Sequence, residues 1–295
     1  MPLDLTAETP DQSFRLELTP QSVLDVGSAV FQGTDITPGP AIPSDGDPRI
    51  DKALPGFLFT CGPDHIRHPV PVEGAADGRR YPLHGSFSSN PARDILVEED
   101  EGEIVCSGRV GALLAHGGKA DLARTWRADR RTGHITLDDA VTNSGDTAWP
   151  PFAMYHINFG TGLFDENTRL TGAMLPGGSL PWRFGEGDMT IFCVPAAETA
   201  EHGWAEIAVG PIAALGGRSV HIRFRTDTLP YLQVWRNQSA GCAVLGIEPV
   251  SHRLAPREDL IASGDAPDFA PGESVGYALA FEVRQDRIDA PTAQA

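Results

Sequence analysis

The stretch His134-Ile135-Thr136-Leu137-Asp138-Asp139-Ala140-Val141-Thr142-Asn143 decides the fold class. Ile135, Leu137 and Val141 alternate with polar residues at the two-residue period of a half-buried strand, with an irregularity at Asp138-Asp139. The run ends on Asn143-Ser144-Gly145, residues that favour a turn. Outward from it the same pattern recurs. Upstream, residues 94–97, 103–110 and 120–128 are β-like runs bounded by Gly, Asp or Asn. Downstream the candidates are 189–194, 204–209, 219–225, 232–236, 243–247 and 275–283. Near the start, residues 14–18 and 22–26 read as an opening hairpin. Short strands separated by roughly 8 to 15 residues predict a sandwich or barrel.

No long helical period appears, and no linker divides the chain. The expectation is one all-β domain over residues 1–295, with a polar tail from about residue 285. Residues 33–48 and 69–80 are loops rich in Pro, Gly and charge, and Cys61 to His68 is a loop loaded with polar groups. The 32 glycines and 25 prolines are spread between apolar runs, so they punctuate strands rather than mark low complexity.

With 23 basic and 40 acidic residues the net charge is −17, which opposes binding to nucleic acid or an anionic membrane surface. It also argues against a phosphorylated substrate unless arginines gather in one cleft. Cys61, Cys106, Cys193 and Cys242 form no CxxC pair and read as buried free thiols of a reducing compartment. Met1-Pro2-Leu3-Asp4-Leu5 has neither the basic nor the apolar region of a signal peptide, and no run is long enough to span a bilayer. A cytoplasmic protein is expected, with a homodimer among the assemblies open to it.

Three segments place titratable groups at the ends of apolar runs. Pro151-Phe152-Ala153-Met154-Tyr155-His156-Ile157-Asn158-Phe159-Gly160 sets one imidazole among apolar neighbours. Tyr81-Pro82-Leu83-His84-Gly85 puts a second beside a glycine that permits close backbone approach. Val244-Leu245-Gly246-Ile247-Glu248-Pro249 ends a buried run on a carboxylate, which is costly unless paired or used. An ion pair to an arginine at the sheet rim would also satisfy Glu248.

These segments resemble the aldose 1-epimerases, or galactose mutarotases. Leu83-His84-Gly85, Asn143 at its strand end, His156-Ile157-Asn158-Phe159 and Leu245-Gly246-Ile247-Glu248-Pro249 match that family's motifs in order. The match is closer to a less characterised branch, through Cys61-Gly62-Pro63-Asp64, residues 81–92 and the segment from Leu229-Pro230-Tyr231 to Glu248-Pro249. The resemblance implies a large antiparallel β-supersandwich of the galactose mutarotase-like type, a monosaccharide substrate and no cofactor. By resemblance His156 is the acid that serves the ring oxygen and Glu248 the base that takes the C1 hydroxyl proton, the two several ångströms apart across a pyranose edge. His84, Arg67, Asn158, Gln233, Trp235 and Arg236 are the candidate substrate-binding residues. Asp188 and Asp227 are candidates for the family's sugar-gripping aspartate. His252, Arg253 and Arg257 follow the Glu248-Pro249 turn as a solvated loop.

Other classes fit less well. His65, His68, His84 and His156 lack the spacing of a metal site, so none is expected. A carbohydrate-binding module would explain the sandwich but not the need for both His156 and Glu248. Another sugar epimerase or isomerase could reuse the same pair.

Overall fold

The computed structural model describes residues 2–9, 12–42 and 46–285; beyond residue 285 the expected polar tail lies outside them. The first strands are β1 (Leu3–Thr9), β2 (Gln12–Thr19), β3 (Asp25–Phe31), β4 (Thr34–Asp35) and β5 (Leu58–Cys61), with helix α1 (Pro48–Ala53) before β5. A run of long strands follows: β6 (Arg93–Glu99), β7 (Glu103–Leu113), β8 (Lys119–Asp129), β9 (Ile135–Asn143) and β10 (Met154–Gly160). The second half adds β11 (Arg169–Thr171), β12 (Ser179–Pro181), β13 (Met189–Pro195), β14 (Trp204–Ile212) and β15 (Arg218–Arg225). The chain closes with β16 (Tyr231–Asn237), β17 (Val244–Val250), helix α2 (Arg257–Ala262) and β18 (Ser274–Arg284).

These strands form two antiparallel sheets. One runs β1-β2-β3-β5-β10-β17-β16-β13, with β4 beside β3; the other runs β12-β11-β14-β15-β18-β9-β8-β7-β6. In β7 and β8 buried positions alternate strictly with half-buried or exposed ones, so one face packs inward and the other turns outward. The opening run behaves likewise in β9, where Ile135, Leu137, Asp139, Val141 and Asn143 all turn inward. The irregularity read at Asp138-Asp139 is therefore no break in phase. Asp139 occupies a core position because Arg124, its register partner on β8, is buried against it.

Two apolar clusters divide the molecule. The larger lies between the sheets and includes Phe14, Trp126, Leu137, Ile157, Leu245 and Phe281. The smaller covers the other face of the first sheet, where α1, α2 and the loops bring Ile50, Leu54, Ile66, Phe152 and Leu260 onto Phe59, Met154 and Val250. Strands β10 and β17 are consequently buried on both faces, which explains their near-continuous apolar sequences. The candidate site lies on this covered face.

The opening hairpin forms, but its second strand begins at Asp25 rather than Ser22. Residues 20–24 make the turn, with Val23 and Leu24 at positive φ (57° and 55°) and their side chains in the core. The four cysteines are free thiols, Cys193 half-buried and the others buried. No helix among the described residues is long and apolar enough to cross a membrane.

Candidate functional site

Strand register assembles the site as a row across the first sheet. His156 on β10 faces Phe59 on β5, Gln233 on β16 faces Glu248 on β17, and Cys193 on β13 faces Gln233. The flanking pairs Met154–Val250 and Ile157–Ile247 set His156 opposite Glu248. Phe59, His156, Glu248, Gln233 and Cys193 thus follow one another over five adjacent strands. Side chains alternate across a strand, so the row shares one face, away from the inter-sheet core.

His156 and Glu248 meet directly, Nε2 to Oε1 at 3.1 Å, with both side chains almost wholly buried. The expected separation of several ångströms is across a pyranose edge; without a sugar between them the two side chains touch. They stand opposite one another on neighbouring strands, and Gly246, one row along, contributes no side chain to separate them. A Cβ at Gly246 would lie 2.8 Å from both His156 Cε1 and Glu248 Oε1. Gly246 lies inside the Val244-Leu245-Gly246-Ile247-Glu248 run. The signal was available, because a glycine inside a strand marks a close approach.

Each member of the pair is held from behind. His156 Nδ1 lies 2.6 Å from Asn158 Oδ1, while Asn158 Nδ2 donates to the carbonyls of Leu54 (2.8 Å) and Gly56 (3.1 Å). Gln233 Nε2 donates to Glu248 Oε2, and Gln233 Oε1 accepts from Arg67 Nε at 2.9 Å. Arg67 Nη2 also donates to the His252 carbonyl at 3.1 Å. The rings of His84 and Trp235 each stand edge-on to His156 at 5.4 Å between centroids.

The loop carrying Arg67 and His84 is built around Asp64. That carboxylate is fully buried and accepts from Ser86 N (3.0 Å), Ser86 Oγ (2.7 Å) and Ala115 N (2.8 Å). His84 N donates to Arg67 O at 2.8 Å, and both residues adopt positive φ, 59° and 73°. Such strained conformations in non-glycine residues persist only where surroundings enforce them, commonly at functional sites.

Burial and neighbouring positive charge shape the titration here. Burial first, then His156, His68, His65 and Arg67, push His84 well below an ordinary histidine. Burial and then Arg67 bring His252 down to about 4. Burial lowers Arg67 as well, against the opposing pull of Glu248 and the nearby thiols. The Cys61 thiol is raised well above its usual value by burial and by Glu248.

The structure brings together His156, Glu248, His84, Arg67, Asn158, Gln233 and Trp235, but not Arg236. Arg236 takes the opposite face of β16 and donates to the carbonyls of Phe184 (3.2 and 3.1 Å) and Gly187 (2.9 Å). Asn158 and Gln233 lie beside the pair, and both ends of each amide have protein partners. Asp188 is exposed, and Asp227 is exposed and paired with Arg225 at 2.8 Å; neither reaches the row. The segment after Pro249 is less solvated than expected. His252 is buried and stacks on Phe152 at 4.6 Å, and Arg257 lies over Tyr81 and Phe152 at 4.3 and 4.6 Å while donating to the Asp64 carbonyl. Arg253 is half-exposed and bonded to Asp265 at 2.8 Å. Beside the site, a mostly apolar cavity of about 620 Å³ opens between Pro40, Ile50, Leu54 and Cys242, lined by none of the predicted residues.

The architecture is shared with solved structures. A Klebsiella pneumoniae protein provisionally named an aldose 1-epimerase matches at 20% identity and a TM-score of 0.72, covering 93% of this chain and 77% of its own. A galactose mutarotase-like protein from Lactobacillus casei matches at 15% and 0.64, over 96% of this chain and 100% of its own. The GalM/aldose epimerase homologue of C. elegans matches at 13% and 0.58, over 97% and 99%. At these identities the likeness establishes the galactose mutarotase-like fold. No curated protein matches the chain. One family model, a domain of unknown function (DUF4432), matches residues 13–176 and 182–283. Spanning nearly the whole β-sandwich, that match makes the chain a member of the DUF4432 family, built on the galactose mutarotase-like fold.

Proposed function

We propose that this protein is an aldose 1-epimerase-like isomerase that interconverts the α and β anomers of a monosaccharide by opening and closing its ring. The observation that carries the reading is the contact of His156 Nε2 with Glu248 Oε1 at 3.1 Å on a loop-covered sheet face. The two oxygens that exchange protons, O1 and the ring oxygen O5, are both bonded to C1. An acid and a base meant for them must therefore be close neighbours.

Ring opening balances with these two groups. Glu248 takes the O1 proton as the C1=O1 double bond forms. The C1–O5 bond breaks, and O5 receives the Nε2 proton of His156. After rotation about C1–C2, closure on the other face returns both protons. The pair holds the same number of protons before and after, so the scheme calls for no cofactor. Sugar entry inserts O1 and O5 between Nε2 and Oε1 and breaks their contact. His84 and Trp235, edge-on to His156, and Arg67 beyond Gln233 supply sugar contacts. Positioned acid and base groups contribute about 10²–10⁴-fold each.

Anomer exchange followed by NMR or polarimetry over aldohexoses, uronates and sugar phosphates tests the proposal. Wild type should speed equilibration of at least one sugar, and His156→Ala and Glu248→Gln should each lose about 10²-fold or more. A protein that binds a sugar without speeding its equilibration would be a binding module instead.

A further inference from the structure

Hydrogen-bond direction fixes more at this site than the identity of the pair. Asn158 Nδ2 faces two carbonyls, Leu54 O and Gly56 O, which can only accept. The amide is therefore set one way round, and Oδ1 is the atom 2.6 Å from His156 Nδ1. An amide oxygen only accepts, so Nδ1 carries a hydrogen. On the other side Arg67 Nε can only donate, which assigns Gln233 Oε1 to it and turns Gln233 Nε2 toward Glu248 Oε2. Oε2 is then occupied as an acceptor, and Oε1 is the oxygen left for His156.

We infer that Asn158, and Gln233 held by Arg67, are positioning residues: they lock the Nδ1–H form of His156 and place one mobile proton between Nε2 and Oε1. A hydrogen bond between these two atoms needs one proton, carried either as imidazolium with carboxylate or as neutral imidazole with carboxylic acid. Only Nε2 and Oε1 can exchange it, because Nδ1 and Oε2 are tied to the amides. Without Asn158 the ring could carry its single hydrogen on Nε2, or turn over, and the proton would no longer be aimed at one place. The chain Arg67–Gln233–Glu248–His156–Asn158 is thus polarised from a guanidinium at one end to backbone carbonyls at the other.

The inference rests on the acid–base reading of His156 and Glu248, but its test does not need turnover. In ¹⁵N-histidine-labelled protein, the His156 signals are found by their loss in His156→Gln, and long-range proton–nitrogen correlation reports which nitrogen bears hydrogen. In wild type Nδ1 should stay protonated throughout the pH range in which the fold persists. In Asn158→Leu the ring should shift toward the Nε2–H tautomer. With an active sugar in hand, Asn158→Leu and Gln233→Leu should lower kcat at least 10-fold and change KM little, since neither touches substrate. An unprotonated Nδ1 in wild type would overturn the inference whether or not any variant folds, as would an unchanged tautomer in Asn158→Leu. The expected tautomer in a protein that turns over no sugar would sink the isomerase reading and leave the positioning intact.

Discussion

Arg124 meets Asp139 through two parallel hydrogen bonds, Nε to Oδ1 at 2.9 Å and Nη2 to Oδ2 at 2.7 Å, with both side chains sealed between the sheets. The same guanidinium reaches Asp25 Oδ1 at 2.9 Å and Thr60 Oγ1 at 2.8 Å, and Tyr155 OH donates to Asp139 Oδ2 at 2.6 Å. Burial alone would lower the Arg124 pKa, but Asp139 and Asp25 outweigh it and raise it. Tyr155 precedes His156 and Thr60 follows Phe59, so the cluster fixes the inner face of the strands whose outer face carries the site.

Breaking this cluster should cost more than replacing it. Asp139→Asn leaves a buried cation short of one counter-charge, and a loss of about 3–5 kcal/mol is expected in urea unfolding. Joint replacement of Asp25, Arg124 and Asp139 by apolar residues of similar volume should cost less than that single change. A single-variant loss no larger than that of a surface substitution would show the cluster to be unimportant for stability.

Gly246→Ala should separate stability from chemistry. The added methyl would overlap both His156 and Glu248, and neither buried side chain has room to swing away. A moderate stability loss of about 1–3 kcal/mol is expected. The loss of kcat should reach about 10²-fold in the folded variant, because displacement by an ångström suffices for that. Unchanged anomer exchange in a folded variant would place the reacting groups elsewhere.

Acid should destabilise the protein before its carboxylates titrate. The His252 pKa is about 4 in the fold against an ordinary 6.5, so the unfolded chain binds the proton first as pH falls. Above pH 6.5 both states are neutral and stability is unaffected; it then drains away between pH 6.5 and 4. The share of His252 approaches about 3 kcal/mol. His84 and His65, also lowered by burial, act in the same direction. Urea unfolding across this window should show the slope, and His252→Gln should flatten it in part. A stability flat from pH 7 to 4.5 would contradict the assignment.

Much of this architecture was legible in the chain. Alternation marked β7, β8, β9 and β18, because each has one face in the core and one in water. The outer strand β1 was missed although Leu3, Leu5 and Ala7 alternate with Asp4, Thr6 and Glu8; the short β11 and β12 were missed because three residues give no clear period. Asp139 disturbed the pattern because its partner Arg124 lies 15 residues away, and a single strand cannot show that a charge is paired. At the site, His156, Glu248, His84 and Arg67 were found through motifs. Asn158 and Gln233 were named from the same segments, but their partners were not legible, because only hydrogen-bond direction separates a residue that grips a ligand from one that holds a neighbour. Arg236 was misplaced by one step of the pleat.

The row from Phe59 to Cys193 also makes the site a gauge of correct assembly. Its members come from five strands scattered over most of the chain, and each is placed only by pairing with the next. A slip of one residue in any of these pairings would carry that side chain to the inter-sheet face. No partly formed sheet can hold the row together. Return of anomer exchange after refolding would therefore report native registry across the centre of the first sheet, which compactness or strand content alone cannot do.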